Sequence, residues 1–317
     1  MIYDIIGDIH GQADKLIGLL NKLGYHHDGT SHVPPKGHQA IFIGDFVDRG
    51  SRQLDTLKIV FAMLDNHHAQ AVMGNHEYNA LAYATPDIHN PTGGYLRPHS
   101  LHNTIGHQAF LDEIPFGSSL HQYWLNRFYE LPLWLETDDC IFIHACYDTR
   151  AIDALKPYLT TQNQLTPDAL QATGRHRTPS FLAIEHLLKG LETTLPQGMT
   201  MTDKTGITRT NARIKWWVND WQHQPMSQVL FADDLPNTPL ACLSDMLANF
   251  YINTTKPIFI GHYWLHDTPA PLSSQVVCTD YSAGKDGHLT AYRFDTTNPT
   301  LSANNFIQYI EPLSPVG

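Results

Sequence analysis

Five short apolar runs in this chain are each followed at once by residues able to bind a metal or move a proton. Ile5-Ile6-Gly7 leads into Asp8 and His10, and Phe42-Ile43-Gly44 leads into Asp45, Asp48 and Arg49. Val72-Met73-Gly74 precedes Asn75 and His76, Phe142-Ile143 precedes His144, and Phe259-Ile260-Gly261 precedes His262. Charged groups are costly to bury unless something pairs with them. Asp45 and Asp48 therefore either turn a corner at the surface or hold a cation. A single Asp after a strand is most often a turn or cap residue, but five clusters in order are hard to explain as coincidence. Mixed oxygen and imidazole donors suit Mn, Fe or Zn better than Mg or Ca. Two such ions about 3.5–4 Å apart, bridged by one carboxylate, clamp a phosphate and generate hydroxide from water.

The elements that position these residues are legible too. Continuous apolar runs rich in β-branched residues suit strands buried on both faces. Leu16, Leu19, Leu20 and Leu23 recur at helical spacing after the first run, and Leu54, Leu57, Ile59, Val60, Phe61 and Leu64 after the second. Strand, helix, strand, helix reads as βαβ units. Ligands in such sheets bind outside the carboxyl ends of the strands, so all five clusters converge on one edge. Near the end, Gln275–Thr279 and Leu289–Phe294 read as strands joined by a turn through Gly284–Gly287, which predicts a late β-hairpin and a second sheet. A Pro-, Gly-, His- and Asn-rich stretch, at about 86–135, and a longer one, at about 151–255, interrupt the pattern. The latter has helical segments at Phe181–Leu191 and Ala241–Tyr251. Both read as insertions covering the site within a single domain spanning 1–317.

With 317 residues, 42% of them hydrophobic, the chain can bury a large core. Its formal charge of −11 disfavours non-specific nucleic-acid binding. The four cysteines, Cys140, Cys146, Cys242 and Cys278, show no CxxC spacing and read as reduced, buried small residues. The opening MIYDIIGDIHG does not resemble a signal peptide, and no run of about 18 apolar residues suggests a membrane span. A cytoplasmic location, with no membrane partner, is the expectation.

GDIHG at 7–11, GDFVDRG at 44–50 and GNHE at 74–77 resemble the calcineurin-like metallophosphoesterase superfamily. Within it they are similar to the phosphoprotein phosphatase branch, which also contains bacterial symmetrical diadenosine tetraphosphatases. HACYD at 144–148, GHYWL at 261–265 and the DYSAGKDG region extend the resemblance to a bacterial subgroup of metallophosphoesterases. The resemblance implies an α/β fold: a metallophosphoesterase-type β-sandwich of two mixed sheets flanked by helices, with helical insertions. It implies two divalent ions, Mn²⁺ first, with Fe or Zn as alternatives. Asp8 and His10 would bind one ion, Asn75, His144 and His262 the other, and Asp45 would bridge them. His76 would be the general acid, Asp48 its orienting partner, and Arg49 a grip on phosphate oxygens.

Two departures from the superfamily pattern stand out. Trp264 occupies the position of the second His of GHxH, and Ala145-Cys146 stand where the branch has two glycines. A second phosphate-binding arginine is also expected. Arg209 and Arg213, four residues apart, and Arg97 are the candidates. Trp216-Trp217 suit a core, or a stacking surface for a nucleotide base. The implied activity is hydrolysis of a phosphate ester by metal-bound hydroxide, as a phosphomonoesterase or protein phosphatase. The substrate would be a phosphorylated small molecule, nucleotide or protein. A dinucleoside polyphosphate hydrolase and, more remotely, a non-catalytic metal-binding protein on the same fold are the alternatives.

Overall fold

The computed structural model describes residues 1–202, 208–232, 235–240 and 243–311. We number the strands of its two main sheets and its longer helices in chain order. The first half of the chain winds as the apolar periodicity predicts. Strand β1 (Ile2–Ile6) is followed by α1 (Ala13–Leu23), β2 (His38–Phe42), α2 (Gln53–Asp65), β3 (Ala69–Ala71) and α3 (Asn75–Ala84). Leu16, Leu19, Leu20 and Leu23 form the buried stripe of α1, which ends where Gly24 adopts the left-handed conformation at φ 94°. Helices α4 (Leu101–Glu113) and α5 (Ser119–Phe128) come next, followed by β4 (Trp134–Glu136) and β5 (Ile141–Ile143). Helices α6 (Thr149–Leu155), α7 (Pro167–Thr173) and α8 (Pro179–Lys189) precede β6 (Ile258–Ile260), β7 (Val276–Cys278), β8 (Leu289–Asp295) and β9 (Phe306–Tyr309).

These strands form two mixed sheets. One has the order β9-β8-β1-β2-β3, with β1, β2 and β3 parallel, β8 antiparallel to β1 and β9 antiparallel to β8. The other has the order β7-β6-β5-β4, with only β4 antiparallel. The sheets face one another across Tyr3, Ile5, Ile41, Ile43, Phe142, Phe259, Val277, Tyr292 and Phe294. Their alternate residues, such as Ile6, Phe42 and Ile143, belong to a larger core that includes Leu16, Leu57 and Val60 of α1 and α2. Period-two alternation thus places successive side chains in different apolar layers.

The expected late hairpin is not there. β7 and β8 exist, but β7 pairs in parallel with β6 while β8 pairs with β1 in the other sheet. The segment between them crosses the sandwich, and β8 makes its hairpin with β9 instead. Register matching to β1 decides this, since Tyr292 and Phe294 alternate into the sandwich core opposite Ile5 and Tyr3. The helix expected over Ala241–Tyr251 is confined to Asp245–Ala248; Ala241 and Cys242 lie outside the described residues. No helix among the described residues is long and apolar enough to cross a membrane.

Candidate metal centre and catalytic site

Each of the five clusters follows the carboxyl end of a strand: Asp8 after β1, Asp45 after β2, Asn75 after β3, His144 after β5 and His262 after β6. All five are nearly or fully buried. Asp45 sits at their centre. Its Oδ2 lies 3.4 Å from His144 Nε2, 3.8 Å from His10 Nε2 and 3.9 Å from His76 Nε2. Two groups of donor atoms have the proximity to hold an ion: His10, Asp45 and His76, and Asp45, His144 and His262. Asn75 joins the second through Oδ1, 3.2 Å from His144 Nε2. Asp8 is turned instead toward the loop after β6, where its carboxylate accepts the His262 backbone N–H at 3.1 Å.

The imidazoles are prepared as ligands. His10 Nδ1 lies 2.9 Å from the Val47 carbonyl and His144 Nδ1 lies 2.7 Å from the Ile43 carbonyl. A carbonyl only accepts, so both rings donate from Nδ1 and turn Nε2 into the cluster. Burial, then the charge of His76, pushes His10 down to about 4. Burial, then the charges of Arg213 and His144, pushes His262 well below the ordinary histidine value. Both are thereby kept in the neutral form that binds metal. His10 Nε2 and both ring nitrogens of His262 are buried with no hydrogen-bond partner. Orphaned, buried lone pairs around a shared carboxylate fit divalent cations.

The backbone is bent to make this possible. His10, Asp45, Asp48, Arg49, His262 and Trp264 all have φ between 52° and 78°, a region that side chains other than glycine seldom occupy. A Cβ added to Gly261 would fall 2.1 Å from Asp8 Oδ1, and one added to Gly74 would fall 2.2 Å from Asp45 Oδ1. Both glycines are required by close approach.

His76 stands at the start of α3, beside the metal ligands. Its backbone N–H donates to Asp45 Oδ1 at 2.9 Å, satisfying an unpaired donor of the helix end. Its Nδ1 lies 2.5 Å from Asp48 Oδ2. Burial works against a charged His76, but the charge of Asp45 and the bond to Asp48 outweigh it and raise its pKa. The ring therefore favours the protonated form needed by an acid. Burial alone would raise Asp48, but hydrogen bonds from His107 and His76 hold it well below the usual carboxylate range.

Arg49 is exposed, with its guanidinium 4.5 Å from the centre of the Trp264 ring. Trp264 in turn donates its backbone N–H to buried Asp280 at 2.7 Å. Where the superfamily pattern has a second histidine, this chain thus has a platform under the arginine. The other arginines are dispersed. Arg213 lies on the strand Asn211–Arg213, with Nε 3.8 Å from Glu192, and its charge is felt by His262. Arg209 is exposed on the separate strand Thr208–Arg209. Arg97 donates to Asn79 Oδ1 at 3.2 Å.

Trp216 and Trp217 are core residues; the Trp216 indole donates to the Ala145 carbonyl at 3.2 Å and the Tyr263 hydroxyl at 2.9 Å. Cys146 is fully buried, and burial pushes its thiol well above its ordinary value, which makes it inert packing. Three residues escaped the sequence reading. Glu77 ties the loops after β2 and β3 together, Asp280 anchors Trp264, and His107 reaches Asp48 from α4. Glu77 was visible as the last letter of GNHE and Asp280 as the first of DYSAGKDG, neither with a role assigned; nothing local marks His107.

Comparison with known proteins agrees with this geometry. The family model described as calcineurin-like phosphoesterase matches residues 1–223, more than half of the chain. A bis(5'-nucleosyl)-tetraphosphatase PrpE [asymmetrical] of Halalkalibacterium halodurans is 42% identical over 76 residues, 24% of this chain and 31% of that protein. Its counterpart in Bacillus subtilis is 37% identical over 76 residues. The chain thus spans about a third of the length of the curated relatives it matches. Among solved structures, a protein serine/threonine phosphatase from Saccharomyces cerevisiae with similarity to human phosphatase PP5 aligns over 100% of this chain and 82% of its own. The TM-score is 0.51 and the identity 18%, a likeness of fold.

Proposed function

The chain belongs to the calcineurin-like phosphoesterase family, and from that premise we propose that it is a dinuclear metal-dependent phosphoesterase acting as a phosphomonoesterase or protein phosphatase. The observation that carries this reading is the buried Asp45 carboxylate, with His10 on one side, His144 and His262 on the other, and His76, hydrogen-bonded to Asp48, 3.9 Å from the same oxygen. Asp8, His10 and Asp45 would hold one ion, and Asp45, Asn75, His144 and His262 the other. Two divalent ions at those donors, Mn²⁺ in our reading, supply Lewis-acid activation of the phosphate and of water.

The chain's own residues do the rest. Arg49, steadied on Trp264, offers the planar fork that grips phosphate oxygens. Arg213 is our choice for a second grip, because its charge reaches His262. His76 keeps one proton at Nδ1 on Asp48 and gives the other, at Nε2, to the leaving oxygen. Water is the nucleophile, so no phosphoenzyme forms. The segments at about 86–135 and 151–255 are proposed to cover the site and select the group attached to phosphorus. We propose a cytoplasmic enzyme.

The curated relatives, described as bis(5'-nucleosyl)-tetraphosphatases, support a second reading, hydrolysis of a dinucleoside tetraphosphate. Stripping the protein with chelator, restoring Mn²⁺, Fe²⁺, Zn²⁺ or Mg²⁺ and assaying p-nitrophenyl phosphate, a phosphopeptide and diadenosine tetraphosphate distinguishes the readings. Two ions per chain with metal-dependent turnover is the expected result. His76→Asn is expected to keep the metal and lose about 10²-fold or more in kcat; metal bound with no turnover by the wild type would leave a binding protein.

A further inference from the structure

Asp48 is shared. Its Oδ2 receives His76 Nδ1, but its Oδ1 lies 2.8 Å from Nδ1 of His107, a residue of α4 fifty-nine positions away in sequence. His107 is one of only two buried side chains of that helix, the other being Phe110, on which its ring stacks at 4.9 Å. The Tyr83 ring lies tilted beside it, with its centre 5.3 Å away. His107 Nε2 is buried with no hydrogen-bond partner. An apolar side chain at position 107 would pack without that orphan nitrogen, so the fold keeps a costly group there for the sake of its Nδ1.

The helix that carries His107 is itself pinned to the Asp48 loop. At the end of α4, Glu113 accepts the backbone N–H groups of Gln53 at 2.8 Å and Leu54 at 3.0 Å, which open α2. Gln53 then accepts the Asp48 backbone N–H at 2.8 Å and donates to the Gly50 carbonyl at 2.6 Å. Both the side chain and the backbone of Asp48 are thus referenced to the α2–α4 contact.

We propose that His107 is a positioning residue for proton delivery, fixing the plane of the Asp48 carboxylate so that Oδ2 holds His76 with its Nε2 toward the leaving oxygen. A carboxylate held at one oxygen alone turns freely about its last bond, whereas one held at both has a single orientation. This rests on the phosphoesterase reading above. The consequence is selective: an acid out of line matters most when the leaving group is poor.

The test measures kcat and KM of the Mn²⁺-loaded protein on phenyl phosphate, whose leaving group needs a proton, and on p-nitrophenyl phosphate, whose leaving group needs it far less. His107→Phe is expected to lower kcat on phenyl phosphate about tenfold or more while changing p-nitrophenyl phosphate turnover and both KM values little. His107→Asn, whose amide nitrogen falls near the place of Nδ1, is expected to restore the wild-type ratio of the two rates. An equal loss on both esters would make His107 a structural residue and overturn the proposal, as would an unchanged ratio in the Phe variant. If the Phe variant does not fold, Asn is compared with His107→Gln, whose longer side chain misplaces the donor: equal ratios there overturn the proposal too. A wild-type protein that hydrolyses neither ester would instead remove the phosphomonoesterase reading on which this rests.

Discussion

Glu77 and Asp45 are joined through the backbone: Glu77 Oε2 accepts the Asp45 N–H at 2.9 Å. The same carboxylate accepts from Phe46 at 2.8 Å and from Gly74 at 3.0 Å. One buried side chain thus fixes the loop that carries the central carboxylate to the loop that carries Asn75 and His76. Glu77→Gln keeps the shape but turns an NH₂ toward N–H groups, leaving buried donors unpaired at a cost on the order of 2 kcal/mol. The expected outcome is a lower melting temperature together with weaker metal retention on dialysis. A variant with wild-type metal content would show that the two loops hold their places without this link.

Asp45 lies within 3.9 Å of His10, His76 and His144 through a single oxygen. Burial alone would raise its carboxyl, but the charges of His144 and His76 outweigh that and hold it well below the ordinary range, so it is the fixed negative charge of the cluster. Asp45→Asn removes that charge while keeping the volume. Metal content by elemental analysis is expected to fall from two ions per chain to one or none, with turnover lost in parallel. Two ions retained would assign the shared role to another side chain, with Asp8 the first to test.

The stacking of Arg49 on Trp264 makes a separate prediction. Cation–π contacts at exposed sites contribute about 0.5–1 kcal/mol, and here the indole also limits where the guanidinium points. Trp264→Ala is expected to raise KM several-fold and to weaken inhibition by inorganic phosphate, with kcat changed less. Trp264→Phe should recover part of the loss. An effect confined to kcat would place Trp264's influence on His10, whose ring is 6.1 Å from the indole, rather than on Arg49.

Much of the site was legible because its chemistry is concentrated where strands end. Apolar runs announce β1, β2, β5 and β6, and the residue types that follow announce a cation and a proton carrier. What stayed hidden depends on contacts between distant segments. His107 sits in a helix whose pattern is inverted, with Leu101 and Ile105 exposed and the histidine buried, so amphipathic reading points away from it. The pairing of β8 with β1 joins the two ends of the chain, and no local turn chemistry could exclude the simpler hairpin with β7. Left-handed backbone at Asp45, Asp48 and Arg49 is likewise set by the surrounding structure, since their residue types do not demand it.

His121 predicts how stability depends on pH outside the metal cluster. It is buried in α5; Nδ1 receives the Gly117 backbone N–H at 3.3 Å and Nε2 has no partner. Burial, then the charge of His107, pushes its pKa from the ordinary 6.5 down to about 4. The sign follows from linkage: between about 6.5 and about 4 the unfolded chain binds a proton here that the folded chain refuses. The stability this group contributes is full above 6.5 and is lost as pH falls toward 4. Chelator-treated protein is therefore expected to melt at a lower temperature at pH 5 than at pH 8. Replacing the imidazole, as in His121→Phe, removes that proton, so the variant should lose less on the same change of pH, whatever its stability at pH 8. Equal losses in the two proteins would mean that His121 takes up its proton while folded, through an opening of the Gly117–Ser118 turn that admits water.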